Sequence, residues 1–372
     1  MSTDDQTPSE STRTIGVTSL LPGRTGALRF MVPDALPEPS PSLANRRRLV
    51  IFVRHDGILA GRLGLAGGQL TAEWLVEERI APPPATTGLD FGDLSTGSEL
   101  PAVALMQSAI ERLVANLPRH EGKAVLVLGG RFVRHSIETV PKTSKRVTQL
   151  ALRRLFRVQP HEQISWQTLA TSMNRGEPAI THQVFATDRA LVLGILSSLQ
   201  QANIAVTRTL PETALDAVCA VNYERFTTEG GAILIAMLTE NRLCQTFVDQ
   251  GRVLFVRRSA IHMDDRVDQR VAGEIQRTSV FFHRRFREYS VDRIQLMVTG
   301  TVDGPRFATA IAEKVAHELS WCKLHLERPA DLSDAVNDAD FLTMATTVFS
   351  DQEPQIAQWD LTPVEWRQRR GL

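Results

Sequence analysis

Four consecutive residues, Arg54-His55-Asp56-Gly57, put a cation, a base, an acid and an unhindered backbone into one turn. His55 beside Asp56 has the residue types of a general-base pair, an imidazole that takes a proton and a carboxylate that orients it. A polar hairpin turn needs the same residues without any catalysis, so both readings stand at this point. His120, His135, His161 and His182 fall on different predicted elements without metal-ligand spacing and read as ordinary surface or core histidines. Arg284, Arg285 and Arg287 in HRRFRE gather at a predicted helix end. They would suit an anion, yet positive charge there already complements the helix dipole. Gly-x-Ser-x-Gly, the phosphate-binding Gly-x-x-x-x-Gly-Lys-Ser/Thr and Cys-x-x-Cys do not occur, so no recognisable catalytic set is present.

The last fifteen residues, QWDLTPVEWRQRRGL, raise a different question. Thr362-Pro363-Val364-Glu365 reads as a capping box with proline at the first helical position, so a helix is announced just before the sequence stops. Trp359, Leu361 and Trp366 are apolar anchors, and Arg367, Arg369 and Arg370 follow them.

Lysine plus arginine and aspartate plus glutamate balance at 42 each over 372 residues, which excludes a global field for nucleic acid and leaves only local electrostatics. Cys219, Cys244 and Cys322 sit in apolar runs far apart, as free thiols of a reducing compartment do, and the expected location is cytoplasmic. No uninterrupted apolar run reaches the ~20 residues that span a bilayer.

The elements that would position these residues come in two similar series. Residues 1–45 are rich in Ser, Thr and Pro and read as a disordered leader. Three strands (49–57, 58–68 and 71–80), punctuated by Asp-Gly and Gly-Gly, precede a helix at 101–117 and an apolar strand at 124–130. A strand at 135–141, a helix at 144–156, two further strands and a helix at 189–204 follow, then a strand from 205 and a helix from 212. Strands at 231–240, 241–251 and 252–261 begin the series again. A helix at 267–289 carries Val267, Val271, Ile275, Phe282, Phe286 and Tyr289 as one buried stripe. A strand at 293–300, a helix at 305–320 and a strand from 321 complete it. Two βββαβα units make an internal repeat at the level of the fold.

This order and spacing, with AVLVLGGRFVRHSIETVPKTS, VFATDRALVLGILSSLQQANI and GRVLFVRRSAI followed by AGEIQRTSVFFHRRF, resembles the type IV pilus assembly protein PilM family and its relative, the cytoplasmic domain of the type II secretion protein GspL. The resemblance covers about residues 49 to 350. It implies an α/β, actin-like fold of two lobes, of the Hsp70, actin and sugar-kinase superfamily, with a small inserted subdomain. The divisions it implies are a first lobe at 46–130, an insertion at 131–210, a second lobe at 211–328, a closing helix at 329–350 and a partner- or membrane-proximal tail at 351–372.

In the members of this superfamily that bind ATP, an Asp-x-Gly turn between the first two strands of each lobe approaches the phosphates, and its aspartate holds magnesium. Here Gly57 fits, but the aspartate position falls on His55, with Asp56 out of register, and Arg62 stands where lysine is usual. The second turn, 235–239, retains only Thr239, and the adenosine turn keeps Gly300 of its usual glycine pair. Asp56, Gly57, Arg62, Thr239 and Gly300 are thus the remnant of an ATP–magnesium site, and the resemblance implies a scaffold that has lost catalysis. An active actin-like ATPase is the alternative.

Implied partners are an inner-membrane PilN-like or GspL/GspM-like protein, an assembly motor ATPase and a second copy of the chain, with no nucleic acid. In PilM-like systems PilN presents an Asn-Leu-Leu-Pro leader to a groove in the segment that here runs from 131 to 210. Trp359-Asp360-Leu361-Thr362-Pro363 resembles that leader. The tail is therefore expected to dock on its own or a neighbouring body through Trp359, Leu361 and Trp366, or to flank a membrane span beyond Leu372 with its arginines.

Overall fold

A computed structural model describes residues 27–29, 47–54, 56–66, 69–80, 99–118, 123–174, 177–224, 231–299, 302–315, 317–326, 336–352 and 358–370. Strand β1 (Ala27–Arg29) comes first, inside the stretch expected to be a leader. The first lobe then runs β2 (Arg47–Val53), β3 (Gly57–Ala66), β4 (Gln69–Arg79), α1 (Glu99–Asn116) and β5 (Lys123–Leu128). Next come β6 (Val133–Pro141), α2 (Lys145–Leu155), β7 (Glu162–Asn174), β8 (Glu177–Asp188), α3 (Arg189–Gln201), β9 (Ala205–Pro211) and α4 (Glu212–Glu224). The second lobe is β10 (Ala232–Leu238), β11 (Arg242–Asp249), β12 (Arg252–Ala260), α5 (Val267–Arg285), β13 (Val291–Thr299), α6 (Gly304–Ala312) and β14 (Glu318–Leu326). Helix α7 (Asp338–Thr346), a 3-10 turn (Thr347–Gln352) and α8 (Val364–Arg370) finish the chain.

The duplication is explicit in the strand order. Lobe one is ordered β4-β3-β2-β5-β9 and lobe two β12-β11-β10-β13-β14, each a hairpin meander joined to parallel strands by crossover helices. Strand β1 pairs antiparallel with both β4 and β14, so the two halves form one eleven-stranded sheet. This is the two-lobe α/β architecture expected from the repeat.

Alternation along β10 shows how the lobes are held. Leu234, Ala236 and Leu238 face α5 and α6 in a core of their own, whereas Ile233, Ile235 and Met237 join the core of lobe one. Helix α4 sits between them, packed on β9 of lobe one and on β11 and β12 of lobe two, and α7 lies against α4, β2 and β3.

Some boundaries differ from the sequence reading for clear reasons. The helix expected at 305–320 ends at Ala312, because Glu318, Leu319 and Ser320 pair in parallel with Arg293, Ile294 and Gln295 of β13. The helix expected to reach 289 stops at Arg285, although Phe286 is buried and Tyr289 still packs on the same core. The separate three-stranded sheet is β6-β8-β7, with α2 on its outer face. It is narrower than the 131–210 insertion: α3 packs on α1, and β9 pairs in parallel with β5, so both complete lobe one.

Candidate functional site

The turn between β2 and β3 closes by the Arg54 amide donating to the Gly57 carbonyl at 2.8 Å. Gly57 is required by the neighbouring strand: a Cβ there would lie 2.7 Å from the Glu78 carbonyl oxygen. Arg54 is only 7% exposed and turns its guanidinium inward, donating to Asp340 of α7 and to Glu77 of β4, each at 2.5 Å. Asp56 is exposed and reaches Arg54 Nε at 3.3 Å.

The corresponding turn of lobe two, between β10 and β11, closes by the Thr239 amide donating to the Arg242 carbonyl at 2.9 Å. The Thr239 hydroxyl is fully buried and donates to Asn241 and to the Arg242 carbonyl, both at 3.3 Å. Arg242 then points at α4. Glu212 and Asp216 lie one turn apart on that helix, hence on one face, and they receive Arg242 and Arg258 of β12. Glu212 accepts from Arg242 and, at 2.5 Å, from Arg258; its other oxygen accepts the Gly130 amide at 3.2 Å. Asp216 meets Arg258 Nε at 2.7 Å. Arg242 also donates to the Ala339 carbonyl at 3.4 Å, next to Asp340, which links the two halves into one network.

Three guanidiniums (Arg54, Arg242, Arg258) therefore face four carboxylates (Glu77, Glu212, Asp216, Asp340) at the junction of the lobes. Burial alone would raise the Glu212 carboxyl, but Arg258 and Arg242 outweigh it and hold it at about 2. Burial pushes Asp216 and Asp340 up against the pull of their arginines. Burial opposes the charge on Arg258 too, yet Asp216 and Glu212 raise it. Both hairpin turns thus direct arginines into protein carboxylates.

The other expected site residues are dispersed among ordinary contacts. Arg62 on β3 reaches Glu73 at 3.3 Å. Gly300, His55 and His120 lie outside the described residues. His135, lowered by burial and by Arg258, packs beside Phe185, and His182 is buried beneath α2 with Thr168 at 3.4 Å. His161 is exposed, as are Arg284, Arg285 and Arg287. Carboxylates already occupy the guanidiniums, the Thr239 hydroxyl is committed to its own turn, and the one aspartate of the Arg54 turn faces outward. The residues that make the network were missed because their signal is faint: two acids at i, i+4 in the apolar run ETALDAVCAVNY and an arginine inside the strand LFVRRSA.

The tail builds a second site. β9 is one of the two edge strands of the large sheet, and Thr209 near its centre is read by residues 360–362. The Leu361 amide donates to the Thr209 carbonyl at 2.7 Å, the Thr209 amide donates to Asp360 Oδ1 at 3.0 Å, and the Thr362 hydroxyl donates to the Thr209 hydroxyl at 3.2 Å. On the other side the three-stranded sheet supplies Gln163, which donates to the Leu361 carbonyl, and Ser165, which donates to the Gln358 carbonyl at 2.5 Å. Trp359 is completely buried, with its ring centroid 5.4 Å from that of Phe185, and Leu361 and Trp366 are buried with it.

Residues 358–362 thus pack on the chain's own body. One local expectation is corrected. Thr362 does not form a capping box, because its hydroxyl goes to Asp360 and Thr209 while Glu365 pairs with Arg189 at 2.5 Å; the Pro363 carbonyl starts α8 instead. Arg367 folds back to the Thr362 carbonyl at 3.1 Å and the Asp360 carbonyl at 2.8 Å. The side chains of Arg369 and Arg370 lie outside the described residues.

The duplicated sheets, the helices between them and the small inserted sheet define an actin-like two-lobe protein. Among solved structures the chain is similar to one described as a PilM–PilN type IV pilus biogenesis complex, at TM-score 0.50 and 15% identity, over 82% of this chain and 99% of that one. It is also similar to a Bacteroides thetaiotaomicron protein with an actin-like ATPase fold (TM-score 0.45, 8% identity, 83% and 98% covered) and to the cytoplasmic domain of EpsL, an inner-membrane component of the Vibrio cholerae type II secretion system (0.40, 12%, 86% and 99%). The expected likeness to PilM is borne out at the level of the fold. No protein family's sequence model matches the chain, and no curated protein does.

Glu212→Ala strands Arg242 and Arg258 without their shared acceptor, and is expected to cost about 3–5 kcal/mol in denaturant unfolding. Because the folded Glu212 carboxyl, at about 2, lies below its ordinary 4.5, its contribution is present above pH 4.5 and lost as pH falls through about 2. The stability gap between the native chain and Glu212→Gln should narrow across that window. Trp359→Ala should weaken tail docking by about 3–5 kcal/mol, read as at least tenfold faster tryptic cleavage at Arg367 with the body still folded.

Proposed function

We propose that this chain is a non-catalytic, actin-like scaffold that works at the cytoplasmic face of an inner membrane in a pilus-assembly or secretion machine. The observation that carries the reading is the ion network. Arg54 and Arg242, each in the turn where an actin-like ATPase would approach phosphate, are committed to Asp340, Glu77 and Glu212. An ATPase has to open and close its lobes around nucleotide and magnesium. A junction filled by buried ion pairs holds the lobes in one relation, which suits a part that others assemble on.

The groove between β9 and the three-stranded sheet supports the same reading. It accepts an extended segment by strand-edge bonds on one side and side-chain bonds on the other, with Trp359 and Leu361 as anchors, a familiar mode of peptide recognition. The similar solved structure is a complex of PilM with PilN, and a PilN-like inner-membrane protein is the partner proposed for this chain. Its leader and the chain's own tail would then compete for the groove. Among the described residues no helix is long and apolar enough to cross a membrane.

Affinity capture from detergent-solubilised membranes of the source cell tests the proposal. Inner-membrane pilus or secretion components should be recovered with the native chain and in larger amount with Trp359→Ala, whose groove is vacated more often. Recovery of neither class of component would overturn it.

A further inference from the structure

Helix α2 covers the outer face of the three-stranded sheet through Thr148 and Leu152, the buried residues of its inner side. Its outer side carries two aliphatics among cations, Val147 at 50% exposed and Leu150 at 61%, and Leu155 at the helix end is 50% exposed. Around these residues the charge is of one sign. From Glu138 to Glu162 the sequence has no acidic residue between, while it has Lys142, Lys145, Arg146, Arg153, Arg154 and Arg157, in a chain whose net charge is zero. Arg146 and Arg154 stand one turn before and one turn after Leu150, on the same ridge of the helix. Lys142, Lys145, Arg146, Arg154 and Arg157 are all exposed. Among the described residues none of the five forms an ion pair with a carboxylate, in contrast to Arg134, which is held by Glu162 at 2.6 Å.

We infer that this face of α2 is a docking surface for an anionic lipid bilayer. A short helix with bulky aliphatics outward and a ring of unpaired lysine and arginine has the composition of an interfacial helix: the aliphatics enter the headgroup boundary while the cations meet lipid phosphates. A protein partner of comparable stability would need about 800 Å² on each side, more than the outer half of an 11-residue helix about 16 Å long can offer. A bilayer asks for only a shallow insertion, provided charge is supplied. The surface belongs to the small inserted sheet, away from the junction of the lobes, and the inference does not depend on the scaffold reading.

The loop after α2 ties this surface to the docked tail. Arg153 donates to the Glu162 carbonyl at 3.3 Å, the Arg189 amide donates to the His161 carbonyl at 3.1 Å, and Arg189 pairs with Glu365 of α8.

Flotation of the full chain with vesicles tests this directly, using phosphatidylcholine alone and phosphatidylcholine with roughly a third phosphatidylglycerol. The native chain should float with the anionic vesicles and not with the neutral ones, and added salt should release it. Leu150→Asp and the pair Arg146→Glu/Arg154→Glu should each lower the bound fraction by at least about tenfold. Both are surface changes, and an unchanged melting temperature will confirm that they fold. Binding of Leu150→Asp equal to that of the native chain would overturn the inference, as would failure of the native chain to bind. So would a concentration-dependent dimer that Leu150→Asp dissociates, which would assign the face to a second copy.

Discussion

The contact on which the rest of the structure depends is the pair of carboxylates on α4, Glu212 and Asp216, clamped by Arg242 and Arg258. Two acids one turn apart on an apolar helix cannot be buried without cations, and lobe two supplies both from adjacent strands. Removing either sign would leave uncompensated charge in a dry junction, so the four residues stand or fall together. Since α4 also packs on β9, the clamp fixes lobe two against lobe one. Arg54 and Asp340 extend it to the first turn and the closing helix. The structural consequence is a defined relation between the lobes, and the chemical one is that both turns point their strongest donors at protein acids.

The same economy of form appears at the edge of the sheet. An unpaired edge strand invites any extended segment, and β9 is answered by the chain's own residues 360–362. Asp360 organises that segment by accepting from the amides of Thr209 and Thr362 and from the Thr362 hydroxyl, and Arg367 closes it from the far side. A segment held by a handful of bonds and two buried tryptophans is stable enough to cover the edge. It remains separable from the body in a way that the clamp on α4 is not.

What could be read from the sequence follows from the range of the interactions involved. Hairpins are local, so Asp56-Gly57 located the β2–β3 turn, and the stripe from Val271 to Phe286 located α5 by its period. The apolar anchors of the tail were also visible, because Trp359, Leu361 and Trp366 stand out against a polar background. The end of α6 was not visible: AEKVAHELS keeps a helical pattern, and only pairing with β13 draws Glu318 into a strand. Least legible was the network itself. Arg54 and Asp340 are 286 residues apart, and nothing near either one announces the other. The residues that matter here stand beside the turn positions that the resemblance singles out, at Arg54 rather than Asp56 and at Arg242 rather than Thr239.

The central claim is that buried ion pairs, and not a nucleotide, hold the lobes together. Thermal unfolding of the full chain with and without saturating ATP and magnesium tests it most directly, since a ligand at ~100 times its dissociation constant stabilises by about 2.7 kcal/mol. The account predicts an unchanged melting temperature in the native chain and a large drop in Glu212→Ala that nucleotide does not restore. A clear upward shift of the native chain with ATP and magnesium would contradict it.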